Sequence, residues 1–133
     1  DIRVCAHLGL LPQSVHRLGG YRVQGREEAD ARILLEDALQ LEEAGASLLV
    51  LECVPAMLAG EVTAALSIPT VGIGAGAACD GQILVSYDLL GLTPRCPRFC
   101  HNFLAPAGGI REAFTDYVQA VKAGTFPGSE HAF

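Results

Sequence analysis

Residues 47–55 read Ser-Leu-Leu-Val-Leu-Glu-Cys-Val-Pro, and this run constrains the fold more than any other part of the chain. Leu48 to Leu51 are apolar without a break and leave no polar face. A strand of that kind reads as buried on both sides, as in a parallel sheet covered by helices. Glu52 arrives where the strand should end, and Pro55 closes the run. In barrel and doubly wound α/β enzymes, the C-terminal ends of parallel strands carry the chemistry. Position alone leaves Glu52 two readings: a catalytic carboxylate, or a solvated strand-end residue held in an ion pair.

The segment ahead of this strand is the clearest helix, Glu27 to Ala44. Ala31, Leu34, Leu35, Ala38 and Leu41 recur at helical spacing and form one apolar stripe. Glu27, Glu28 and Asp30 crowd the first turn, where the helix dipole favours anions. Gly45 stands where a helix-ending glycine belongs. Glu36, Asp37, Glu42 and Glu43 read as a solvated face. Upstream, Arg3-Val-Cys-Ala-His7 reads as a short strand ending in a histidine. Strand, helix and strand therefore follow one another with a short return loop, which makes the two strands parallel. Parallel neighbours place their C-terminal ends at one edge, so His7 and Glu52 are expected at one shared site. A histidine standing alone would more simply be structural.

Downstream, Pro55 to Leu66 reads as a shorter helix, Thr70 to Gly74 as a third strand and Gln82 to Ser86 as a fourth. Gly109 to Ala123 is a last helix with a stripe of Ile110, Phe114, Tyr117, Val118 and Val121. Residues 125–133 form an aromatic-containing tail that needs a surface to bury against. The fold class is α/β with a parallel sheet, in one partial domain over residues 1–133. Four such units close as a small doubly wound domain or make half of a (β/α)8 barrel. Half a barrel leaves two open edges, which demand a partner.

The glycines allow several readings. Gly72-x-Gly74-x-x-Ala77 matches a dinucleotide fingerprint, but Cys79-Asp80-Gly81 interrupts the helix that should open there. Close approach of the backbone near Gly74 and Gly76 to a ligand, or to a neighbouring strand, fits better. Gly19 to Gly25 reads as a surface loop over one end of the sheet, where binding groups tend to lie. Asp80-Gly81 is a turn signal and Asp88 is a candidate cap. Pro94 to Phe103 carries Arg95, Arg98 and His101, a small basic segment that suits an anionic ligand or a subunit contact. Cys96-x-x-x-Cys100-His101 is at most a partial metal site.

Composition narrows the classes. A net charge of -6 with no basic stripe argues against nucleic acid. No apolar run is long enough to span a bilayer. Five dispersed cysteines are not a disulfide framework and fit a reducing cytoplasm. The chain starts inside an apparent strand without an initiator methionine, as a fragment or a processed chain would.

Several segments resemble the 3-methyl-2-oxobutanoate (ketopantoate) hydroxymethyltransferase family. They are Cys5-Ala-His7-Leu-Gly-Leu-Leu-Pro-Gln13, Gly19-Gly-Tyr-Arg-Val-Gln-Gly25, Leu49-Val-Leu-Glu52-Cys-Val-Pro55, Ile68-Pro-Thr-Val-Gly-Ile-Gly-Ala-Gly76, Asp80-Gly-Gln-Ile-Leu-Val85 and Phe126-Pro-Gly128. The likeness runs along essentially the whole chain and corresponds to the C-terminal half of the family's length. It implies half of a (β/α)8 TIM barrel, in a homo-oligomer that is a decamer of two pentamers. It implies transfer of a hydroxymethyl group from the co-substrate 5,10-methylenetetrahydrofolate to 3-methyl-2-oxobutanoate, giving 2-dehydropantoate in pantothenate synthesis. Glu52 would be the general base and His7 a supporting neighbour. Mg2+ or another divalent cation would be held by residues of the N-terminal half, with no metal ligand in this chain. The chain departs from the family pattern at Ala6, at Tyr87 and at Pro97-Arg-Phe followed by Cys100-His101. Two other readings stand beside this one: an inactive half-barrel that acts through assembly, and a small α/β domain that binds a phosphate-bearing ligand at Gly72 to Gly76.

Overall fold

The structure is a computed structural model that describes residues 2–14 and 22–133. Four strands, β1 (Val4–Gly9), β2 (Ala46–Glu52), β3 (Thr70–Ile73) and β4 (Gly81–Gln82), form one parallel sheet in the order β1-β2-β3-β4. The helices are α1 (Glu28–Glu43), α2 (Ala56–Ala65), the single turn α3 (Ser86–Leu89) and α4 (Ile110–Lys122). Residues 19–21 of the expected glycine-rich loop lie outside the described residues.

The first crossover forms as its pattern implies. Leu34 and Ala38 bury the α1 stripe, and Gly45 ends the helix at φ +99°. Glu42 does more than face solvent. Its Oε1 accepts the backbone N–H of Ser67 at 2.7 Å and of Ile68 at 3.0 Å, which pins the turn between α2 and β3. That correction was invisible in the periodicity, because the two donors lie 25 and 26 residues away.

Register sets the faces. His7 lies opposite Val50, Gly9 opposite Glu52, and Glu52 opposite Ile73. Side chains alternate along each strand, so His7, Val50, Glu52 and Ile73 share one face. Ala6, Leu8, Leu49 and Leu51 share the other, where α1 and α2 cover them with Leu34, Leu58, Ala59 and Val62. Leu49 and Leu51 are fully buried there, a contribution of roughly 1.5–3 kcal/mol each.

The opposite face is largely open, which corrects the expectation of a strand buried on both sides. Cys5 is exposed and Leu48, Val50 and Val71 are only half-buried. Leu10, Cys53, Ile73 and Phe99 cover just the C-terminal end of that face. The continuous apolar run was composed for two covered faces, and within this chain one layer of helices supplies only one.

Three further boundaries differ. β1 continues past His7 to Gly9. The fourth strand is only Gly81–Gln82, because the chain then leaves the sheet, Leu84 packs among the neighbouring apolar clusters, and Ser86 begins α3. In α4 the expected stripe is rotated: Ile110, Phe114 and Val118 are 59%, 39% and 45% exposed. Ala113, Tyr117, Ala120 and Val121 turn inward instead. The small Ala113 lets the helix approach an aromatic cluster in which Phe103, Tyr117 and Phe126 meet edge to face at 5.4–5.8 Å. The tail thus finds its surface through Phe126, and the Phe133 carbonyl accepts the Ala56 N–H at 3.0 Å at the start of α2.

Candidate active site

Glu52 ends β2, and the backbone around it is tightly constrained. Gly9, paired with it across the sheet, has φ +91°, and a Cβ there would lie 2.1 Å from the Glu52 carbonyl oxygen. Only glycine lets β1 run this close past the end of β2. Cys53, the next residue, has φ +51°, unusual for a side-chain-bearing residue. Its N–H donates to the Ile73 carbonyl and its carbonyl accepts from the Gln24 N–H, both at 2.9 Å. Strained backbone over-determined by its neighbours is a feature of functional sites.

His7, inside β1, meets Glu52, the last residue of β2. His7 Nε2 lies 3.1 Å from Glu52 Oε2, with side chains 34% and 14% exposed. The contact is an ion-pair approach rather than an aligned hydrogen bond, and His7 Nε2 is buried without a hydrogen-bond partner. Its nearest polar neighbour is the Glu52 carboxylate itself. Burial pushes the Glu52 carboxyl above its ordinary 4.5, and the His7 charge and contact offset only part of that rise. Burial, then the Glu52 charge, pushes the neighbouring Cys53 thiol to about 11, which keeps it protonated and unsuited to attack as a thiolate.

Glu52 opens onto a cleft of about 1250 Å3. Arg22, Arg26, Arg95 and Arg98 line it with Phe99 and Phe133. None of these arginines forms a carboxylate ion pair among the described residues. Arg98 instead donates to the Glu130 carbonyl at 2.9 Å and lies 5.8 Å from the centre of the Phe133 ring. Glu27, Asp30 and Asp88 line the cleft as well, so it combines the Glu52 carboxylate of raised pKa with both guanidinium and carboxylate groups. His7 stands behind Glu52 rather than on the cleft wall.

Other candidates fall elsewhere. A Cβ on Gly74 would meet the Phe99 ring at 2.7 Å, and one on Gly76 would meet Ala56 at 2.5 Å. Both glycines accommodate packing within the chain, so the space beside them is filled by protein. Asp80 acts as a clamp: its Oδ2 accepts from the Thr70 N–H at 2.8 Å and the Thr70 hydroxyl at 3.2 Å. His101 packs edge-on to Phe103 at 4.7 Å and apart from the cleft. Arg22 and Arg26 were not singled out from the sequence. Their only signal was the loop ending at Gly25, whose described part, from Arg22 on, lies at the cleft.

The family model described as ketopantoate hydroxymethyltransferase matches residues 1–129. The chain belongs to this family. The 3-methyl-2-oxobutanoate hydroxymethyltransferase of Thiobacillus denitrificans is 68% identical over 132 residues, covering 99% of this chain and 50% of that protein. Those of Halorhodospira halophila and Methylococcus capsulatus are 61% and 59% identical, with 99% and 100% of this chain covered. The chain spans about half the length of these curated relatives, 48–50%. The four-stranded parallel sheet with its one helix-covered face is accordingly a partial TIM barrel. Among the described residues no helix is long and apolar enough to cross a membrane.

Proposed function

We propose that the complete protein transfers a hydroxymethyl group from 5,10-methylenetetrahydrofolate to 3-methyl-2-oxobutanoate, giving 2-dehydropantoate for pantothenate synthesis. The observation that carries this reading is the placement of Glu52. It is a half-buried carboxylate of raised pKa at the C-terminal end of a parallel strand, on a cleft, with His7 at 3.1 Å. Family membership narrows the reaction class. The chain supplies the C-terminal half of the barrel, in a cytoplasmic homo-oligomer, a decamer by family resemblance.

In this reading the Glu52 carboxylate takes the proton from C3 of the keto acid, next to the ketone. Partial burial makes it a stronger base than a solvated carboxylate. The enolate carbon then bonds to the folate-borne methylene carbon, whose bonds to folate nitrogen are replaced. Water supplies the oxygen of the new hydroxymethyl group, and tetrahydrofolate leaves. His7, 3.1 Å from Glu52, supports the base from behind. The cleft arginines offer guanidinium groups to the anionic substrates.

A divalent cation belongs to this reading, but the residues here do not fit Mg2+. Among the described residues the one group of three potential ligands is Asp88, Cys96 and Cys100, with two sulfur donors, whereas Mg2+ takes oxygen ligands. The cation of the transfer reaction is therefore assigned to the other half of the barrel.

Solvent exchange at C3 of the keto acid tests the base directly. In the full-length enzyme without folate, Glu52→Gln should slow deuterium exchange by orders of magnitude while keto acid binding changes little. An unchanged exchange rate removes Glu52 from the role. A second reading, an inactive half that works through assembly, draws on the open face of the sheet at Leu48, Val50 and Val71. Failure of the full-length protein to turn over both substrates would favour it.

A further inference from the structure

Asp88 is one of only two polar residues, with Thr70, that are classed as buried among the described residues. It stands on α3 at 8% exposure, and neither of the described ion pairs includes it. A buried carboxylate without a cation is costly unless something compensates it. The Thr93 hydroxyl supplies part of that compensation, donating to Oδ1 at 2.5 Å. The loop that follows brings two thiols to the same place. One carboxylate oxygen of Asp88 and the Sγ atoms of Cys96 and Cys100 all lie within 4.8 Å of one another. Each contributes a donor and none a positive charge.

We propose that Asp88, Cys96 and Cys100 form a binding site for a thiophilic divalent cation, zinc above all, at the wall of the cleft that Asp88 and Glu52 both line. The donor set selects the class: two thiolates and one carboxylate suit Zn2+, Co2+ or Cd2+, and disfavour Mg2+ and Ca2+. Geometry permits closure. With zinc–sulfur bonds of about 2.3 Å, tetrahedral sulfur atoms stand about 3.8 Å apart. Drawing in donors that lie within 4.8 Å thus takes about 1 Å or less per pair, and Cys96 is exposed. That exposure also gives the ion an entry path. Thr93 holds the ligand carboxylate as an outer hydrogen-bond partner holds a metal ligand. Metal binding would displace the thiol protons. The fourth position is left to water or another donor. The site would clip α3 to the loop that presents Arg95, Arg98 and Phe99 to the cleft, so its occupancy would set the shape of that wall.

Cobalt titration of the full-length protein, reduced and stripped of metal, tests this without reference to turnover. With excess Mg2+ present to occupy the cation site of the other half, the expected result is one Co2+ per chain with a thiolate-to-cobalt charge-transfer band. Cys96→Ser and Cys100→Ser should each weaken the band and lower affinity at least tenfold. Thr93→Val should lower affinity about 10–100-fold with the band retained. Cys5→Ser and Cys79→Ser should change nothing. The wild-type titration alone can overturn the proposal, whether or not the variants fold: absence of the band in reduced protein does so. A band of full intensity in the Cys96→Ser/Cys100→Ser double variant also overturns it. So does recovery of the pair as a disulfide from protein prepared anaerobically.

Discussion

The two faces of the sheet were written in the same alphabet and ended in different environments. On one face Leu49 and Leu51 are fully buried beneath α1 and α2. On the other, Leu48, Val50 and Val71 are half-buried, and His7 inside β1 meets Glu52 at the end of β2. Both faces are apolar enough to demand cover. In a barrel the open face is the interior, filled by side chains from the remaining strands. The contrast therefore separates two jobs. The helix-covered face holds this half together, and the open face carries the reactive carboxylate and waits for the rest of the barrel.

The sharpest way to break that division is kinetic. In the full-length enzyme Glu52→Gln should lower turnover by roughly 10²–10⁴-fold, measured with both substrates saturating. A variant retaining near wild-type turnover would reduce the open-face carboxylate to a structural role. Next in size is stability. In the 133-residue chain, Leu51→Ala should cost about 2–5 kcal/mol by urea denaturation. Leu48→Ala, on the open face, should cost roughly 1 kcal/mol or less. In the full-length protein the Leu48 cost should rise toward that of Leu51. Equal costs in the isolated chain would contradict the one-sided burial.

A smaller effect concerns the edge of the sheet. Thr70→Val removes the hydroxyl that bonds Thr63 at 2.8 Å and Asp80 at 3.2 Å, and should cost about 1–3 kcal/mol. An unaffected midpoint would show that the Thr70 N–H bond to Asp80 suffices as the clamp.

The smallest effect is a pH dependence. Folding raises the Glu52 pKa above 4.5, so the folded state binds that proton more tightly than the unfolded chain. Its contribution is fully present below the unfolded pKa and is lost as pH rises through the folded one. Glu52→Gln should accordingly be more stable than the wild type at neutral pH, and the gap should narrow in acid. A gap that widens in acid would mean the His7 contact outweighs burial.

Much of this half was legible before any coordinates. The α1 stripe, the break at Gly45 and the parallel relation of β1 and β2 follow from spacing and crossover geometry, and they bring His7 and Glu52 together. The α4 stripe was legible only in part: Tyr117 and Val121 turn inward as expected, while Ile110, Phe114 and Val118 do not, because Phe114 and Tyr117 are equally good core residues on paper. The choice fell to the side whose Ala113 allows close approach to Phe103 and Phe126. The last strand was overdrawn for a related reason: Ile83, Leu84 and Val85 read as sheet, while Leu84 is used by clusters beyond the sheet edge.

By itself the sequence determined a strand–helix–strand frame and the placement of a carboxylate at a strand's end. Those features depend on residues a few positions apart, whose periodicity and punctuation are local. Only the tertiary structure decided which face of β2 stays open and that Glu42 pins a distant turn. It also decided that Phe99 fills the space over Gly74 and that Asp88 meets Cys96 and Cys100. Each of those depends on the path of a connecting segment or on a partner far along the chain, and no short-range pattern records either.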